Sequence, residues 1–98
     1  MLEGLTAASF EPHIGTEFAI SLDGEDEVLT LTAVTPGKAH PGYEREPFAL
    51  SFNGARTDAL FPSRTVDMRH ETMGAIAFMI TPTGRNEDGT FRYEAIFG

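Results

Sequence analysis

Between Gly74 and Phe97 the chain twice alternates large apolar residues with small or polar ones, and this alternation restricts the fold more than any other feature. In Gly74-Ala-Ile-Ala-Phe-Met-Ile80, one face of an extended segment carries Ile76, Phe78 and Ile80. In Phe91-Arg-Tyr-Glu-Ala-Ile-Phe97, Phe91, Tyr93, Ala95 and Phe97 share a face. The loop between them contains Gly84-Arg85 and Asp88-Gly89, the turn signals of a β-hairpin. A lone hairpin is marginal in water, so these faces require further strands.

The rest of the chain supplies them. Leu5 to Gly15 reads as a short helical lid over about 6–13, with Thr6 as N-cap and Leu5, Phe10 and Ile14 available to plug a β core. Alternation predicts strands at about 17–22, 28–35, 47–53, 64–70, 75–80 and 91–97. In the first, Phe18, Ile20 and Leu22 face inward; in the second, Leu29, Leu31 and Ala33 share one face and Val28 and Val34 the other. Val66, His70, Met73 and Ala77 also sit at helical spacing, but Gly74 interrupts that pattern and the strand reading is stronger. Leu60 and Phe61 are expected to fold back onto the core edge. The expected fold is all-β: one domain over 1–98, a small antiparallel barrel or sandwich of about six strands with a short N-terminal helix.

Charge narrows the partners. Fifteen acidic against seven basic residues give a formal charge of −8, which repels nucleic-acid phosphates and anionic lipid. No cysteine is present, so disulfides and thiolate sites are excluded. The first residues lack a basic, then apolar, leader pattern, and no window approaches the ~18 apolar residues of a membrane span. Cytoplasmic location is the expectation.

The residues that carry chemistry are dispersed. His13, His40 and His70 lack the paired spacing of a metal site, so neither metal nor cofactor is expected. Asp23-Gly-Glu-Asp-Glu27 and Asn86-Glu-Asp-Gly89 lack the calcium-loop pattern and read as solvated turns. No serine lies in a nucleophile-elbow context, and Thr35-Pro-Gly-Lys38 lacks the ending of a phosphate loop. The long loop from Pro36 to Pro47 gathers Lys38, His40, Tyr43 and Arg45, the one locally basic and aromatic stretch in an acidic chain. Long loops in compact domains are often functional, and these four residues form the candidate contact loop.

Three segments carry a family resemblance: Leu5-Thr-Ala-Ala-Ser-Phe-Glu-Pro with Ile14-Gly15, Arg45-Glu-Pro-Phe-Ala-Leu-Ser-Phe52, and Pro82-Thr-Gly-Arg with Asp88-Gly-Thr-Phe-Arg-Tyr-Glu-Ala-Ile-Phe97. Together they resemble a family of short bacterial proteins catalogued as a domain of unknown function, sometimes encoded near phage-tail-collar-like proteins. The resemblance implies a role in a tail-like particle or its assembly and assigns no site residues. The expected function is therefore a non-catalytic structural or protein-interaction module, with a protein partner or self-association through loop 36–47 or an exposed edge strand. The alternative is a small-molecule binder that uses the barrel mouth, lined by Tyr43, Phe61 and Tyr93.

Overall fold

The computed structural model of the chain describes residues 6–22, 24–37, 47–58 and 60–97. A one-turn helix α1 (Ala7–Phe10) runs into a 3₁₀ turn (Glu11–His13). Six strands follow: β1 (Glu17–Leu22), β2 (Glu25–Pro36), β3 (Phe48–Asn53), β4 (Arg64–His70), β5 (Gly74–Arg85) and β6 (Phe91–Phe97). They close an antiparallel barrel in the order β1-β2-β3-β6-β5-β4, with β4 returning to β1. Of the barrel and sandwich alternatives, the chain forms the barrel.

The barrel consists of two three-stranded meanders, β1-β2-β3 and β4-β5-β6, joined edge to edge. In each, a central strand of twelve residues serves both neighbours with different halves. Glu25 to Thr30 of β2 pairs with β1, and Thr30 to Pro36 with β3. Gly74 to Ile80 of β5 pairs with β4, and Thr81 to Arg85 with β6. Each long strand has a register shift in its second half, between Leu31 and Ala33 and between Pro82 and Gly84. A bulge adds twist and bend, which these strands need to wrap a narrow barrel. The sequence shows no repeat corresponding to this two-fold arrangement.

The first bulge corrects the expected faces of β2. Leu31 pairs with inward Phe52, but past the bulge Val34 pairs with inward Leu50, while Ala33 moves opposite Ser51. Val34, not Ala33, therefore packs against the core, because one extra residue reverses the alternation. β2 also begins at Glu25 rather than near 28: Leu22 pairs with Glu25, and Gly24, at φ 82°, takes the left-handed conformation a tight hairpin turn demands. The helical spacing over 66–77 is not used; β4 turns through Glu71–Met73 into β5, with Gly74 at φ 77°.

Phe18, Ile20, Leu29, Leu31, Leu50, Phe52, Met68 and Ile80 are fully buried and fill the interior. Phe10 closes one end, its ring 5.8 Å from Phe48 and 5.6 Å from Phe97. Ile14, expected to join it, is 46% exposed, and Leu5 lies outside the described residues. Phe61 closes the other end, whereas Leu60 points to solvent at 51% exposure. Phe97 also stacks on Phe48 at 4.8 Å and meets Phe78 edge-on at 5.2 Å. Truncating Phe97 to Ala should cost about 3–5 kcal/mol in a urea unfolding experiment, since it removes the ring joining the plug to the interior. A loss below ~1 kcal/mol would mean that the last strand frays.

Candidate functional site

Lys38, His40, Tyr43 and Arg45, the candidate contact loop, lie outside the described residues. Of the mouth residues, Tyr43 lies outside them too, while Phe61 and Tyr93 are buried. The Phe61 amide donates to the Tyr93 hydroxyl at 3.0 Å, so these two groups bind each other inside the barrel end rather than line an opening. Burial pushes the Tyr93 hydroxyl above its ordinary range; the Phe61 amide opposes this and Glu27 adds to it.

Glu27 belongs to the same barrel end. Expected in a solvated turn, it is 2% exposed. Its Oε1 accepts from the Val28 amide at 2.7 Å and the Ala55 amide at 3.1 Å, and its Oε2 accepts from the Arg56 amide at 3.1 Å. The carboxyl group thereby clamps the start of the 54–63 loop to the inner face of β2. Glycine at residue 54 leaves room for this approach: a Cβ there would meet Glu27 Oε2 at 2.9 Å and would push the carboxylate from its place. Above the clamp the Arg56 guanidinium makes a two-point contact with Asp58, at 3.0 and 3.1 Å, and lies 3.7 Å from Glu25. Those pairs are exposed and add little stability. One sequence signal did mark Glu27: it has the same parity as Leu29 and Leu31, the inward face of β2.

The other acidic turn is held by its own side chains. Asp88 Oδ1 accepts from the Thr90 amide at 3.0 Å and the Thr90 hydroxyl at 2.6 Å, and these bonds hold its carboxyl below the usual range. Asn86 Nδ2 donates to Asn53 Oδ1 at 3.1 Å, tying this turn to the end of β3.

At the opposite barrel end, two histidines far apart in sequence meet. The His13 and His70 rings lie 4.6 Å apart, edge to face, and Phe18 packs 4.4 Å from His70. His70 closes the inward series Val66, Met68, His70 on β4 and is 8% exposed. Its Nδ1 accepts from the Thr72 and Met73 amides at 3.0 and 3.1 Å. That fixes the remaining proton on Nε2, which donates to Thr16 Oγ1 at 2.9 Å; the Thr16 hydroxyl in turn donates to the His13 carbonyl at 2.6 Å. A cleft of about 490 Å³ opens beside this network, lined by Glu17, Ala19, Val28, Arg69 and Glu71 among others. His40, the third histidine, lies outside the described residues. Among the described residues no group of three or more potential metal ligands converges.

Among the described residues the outer wall carries an apolar feature. Met79 is 56% exposed and Ile96 74%, and with Thr81 and Glu94 they line a groove of about 190 Å³. Among the described residues the β5–β6 ladder stops at the Thr81–Glu94 pair, so the groove lies where the two strands part. Outward positions Ala75, Ala77, Met79 and Thr81 on β5 carry no charge, in a chain of net charge −8.

The fold and these sites define a filled, closed β-barrel with clamped ends and an apolar seam on its wall. The chain belongs to the family described as Domain of unknown function (DUF6916), whose profile matches residues 5–97. Neither a curated protein nor a solved structure is significantly similar to it.

The clamp makes a graded prediction. Glu27→Ala strands three backbone donors and should destabilise the fold by about 2–4 kcal/mol, whereas Glu27→Gln keeps an acceptor oxygen and should cost less. Urea unfolding of both variants, with amide exchange at Ala55 and Arg56, checks the order. Equal and negligible losses would show that the loop is held by Phe61 alone.

Proposed function

We propose that this protein is a non-catalytic structural or protein-interaction module that docks a protein partner on the seam between β5 and β6. The carrying observation is the pair Met79 and Ile96, exposed side by side where the ladder ends. Single exposed apolar residues are ordinary on soluble proteins; an adjacent pair, with Met79 on the uncharged outward face of β5, supports a contact surface here. Strand segments that have parted from their neighbour also offer backbone groups to an added strand. With net charge −8 and Glu94 at the groove's rim, the fitting partner has an apolar centre and a basic border. A second copy of this chain would have to overcome the repulsion of two such charges.

The remaining features agree with that reading. The interior is packed with side chains, which leaves little support for a small-molecule site at the mouth. The buried ionisable groups Glu27, His70 and Tyr93 are engaged with backbone amides, a structural use rather than a catalytic one. No helix among the described residues is long and apolar enough to cross a membrane. On the wall, Asp67 and Arg69 face outward while Val66 and Met68 face inward, the reverse of a lipid-facing barrel; the cytoplasmic setting we propose needs such a water-facing wall. The bacterial, phage-tail-like setting rests on the resemblance of the three sequence segments, and the acidic charge argues against nucleic acid and anionic membranes as partners.

Site-specific photocrosslinking in the native host tests the proposal. A photoreactive residue at position 79 or 96 should capture one and the same protein, while one at position 17, exposed on β1 away from the β5–β6 seam, should not. Ile96→Glu should abolish the capture at 79 yet change stability by no more than about 0.5 kcal/mol, because the side chain is on the surface. Equal capture from all three positions, or none from 79 and 96, would overturn the assignment.

A further inference from the structure

We propose that His70 is an acid-sensitive latch that holds the N-terminal plug and the β4–β5 turn on one end of the barrel, and that protonating its ring releases both. Each ring nitrogen is committed in the neutral form. Nδ1 accepts two amide protons, from Thr72 and Met73, and Nε2–H donates to Thr16, whose hydroxyl passes the chain of bonds on to the His13 carbonyl. A proton added to Nδ1 points at two N–H donors, and both bonds must break for it to be accommodated. The ring then has to turn, and turning withdraws the Nε2–H that anchors Thr16.

What Thr16 anchors is the segment that bears the plug. It follows the 3₁₀ turn and α1, and Phe10 of α1 is wholly buried against Phe48 and Phe97. Other bonds share the load: the Gly15 amide donates to the Leu31 carbonyl at 2.7 Å, and the Leu31 amide to the Thr16 carbonyl at 3.1 Å. These two bonds mark the hinge, and the part free to swing is residues 6–14.

The charges around the ring favour the latch. From the 3₁₀ turn, His13 faces His70 ring to ring, so a charge on His13 opposes a cation on His70. From β1, Glu17 lines the adjoining cleft and Phe18 covers the ring. On its own strand and turn, Arg69 and Glu71 flank it; β2 presents only the uncharged Val28 to the cleft, and β5 begins with Gly74 paired to His70. Burial, and then His13, hold the imidazole below the ordinary histidine value of 6.5, against the opposing pull of Glu71. The sign follows. A histidine whose folded value is depressed stabilises the fold fully above 6.5, and its contribution is lost as pH falls through the folded value.

An NMR titration of the intact chain from neutral pH to about pH 4.5 tests this, with the histidine pKa range as reference. The His70 ring nitrogens should report the Nε2–H tautomer at neutral pH and a midpoint below that of a free histidine. At that same midpoint the Thr72, Met73 and Thr16 amides and the Phe10 ring protons should shift together. His70→Asn places an amide oxygen near the Nδ1 position and has no titrating group, so the shared transition should vanish while the fold persists. Thr16→Val should loosen residues 6–14 at neutral pH and leave the Thr72 and Met73 amides in place. An Nδ1–H tautomer, a His70 titration that leaves the turn amides fixed, or an unchanged transition in His70→Asn would each overturn the latch.

Discussion

The narrowness of the barrel is the constraint on which the rest of this structure depends. Six strands closed on themselves enclose little more than their own inward side chains, and Phe18, Phe52, Leu29, Leu31, Leu50, Met68 and Ile80 are fully buried there. Closure removes free sheet edges, but two ends remain where strands stop and the core would meet water. Each end is stopped by an aromatic ring from outside the sheet, Phe10 at one and Phe61 at the other. The segments carrying those rings are irregular, so polar bonds must hold them in place. Glu27 and Tyr93 do so at one end; Thr16, His13 and His70 do so at the other.

The placement of the buried polar groups follows from this arrangement. Inside the barrel wall a polar side chain would have no partner, since the strand amides already bond to their neighbours. At the ends, backbone N–H groups of the loops need acceptors. Glu27 and the neutral ring of His70 supply them, and every fully buried side-chain polar atom among the described residues has a partner. Both groups therefore belong to the barrel's closure. The wall takes no part in that closure, and among the described residues it carries an apolar feature, the splayed β5–β6 seam with Met79 and Ile96.

The two meanders share a plan, each with a long bulged central strand, but treat the place where that strand leaves its first neighbour differently. Past the end of the β2–β3 ladder, the 54–58 loop lies along β2 and is clamped there by Glu27. Past the end of the β5–β6 ladder, a groove opens. The same geometric event is sealed in one half and exposed in the other, which gives the proposed docking surface its position.

The sequence by itself determined the strands and nearly all of the inward faces, because period-two alternation of large apolar residues has one economical explanation, a sheet with a buried side. Charge and the lack of cysteine were legible too, since they are sums over the chain. Tertiary structure alone decided the rest. The reversal at Val34 came from a bulge, whose extra residue is paid out only when β2 bends to reach β3. Glu27 had the inward parity of β2, yet its acceptors' partners lie 28 and 29 residues away, so local reading placed it in water. His13 and His70 are separated by most of a barrel circuit along the chain, and the Thr16 bond that links their neighbourhoods spans 54 residues. Met79 and Ile96 each read as an ordinary outward residue; only the parting of two strands made them one surface. Alternation is a local property of the chain, whereas clamps, histidine pairs and seams exist only after closure brings distant residues together.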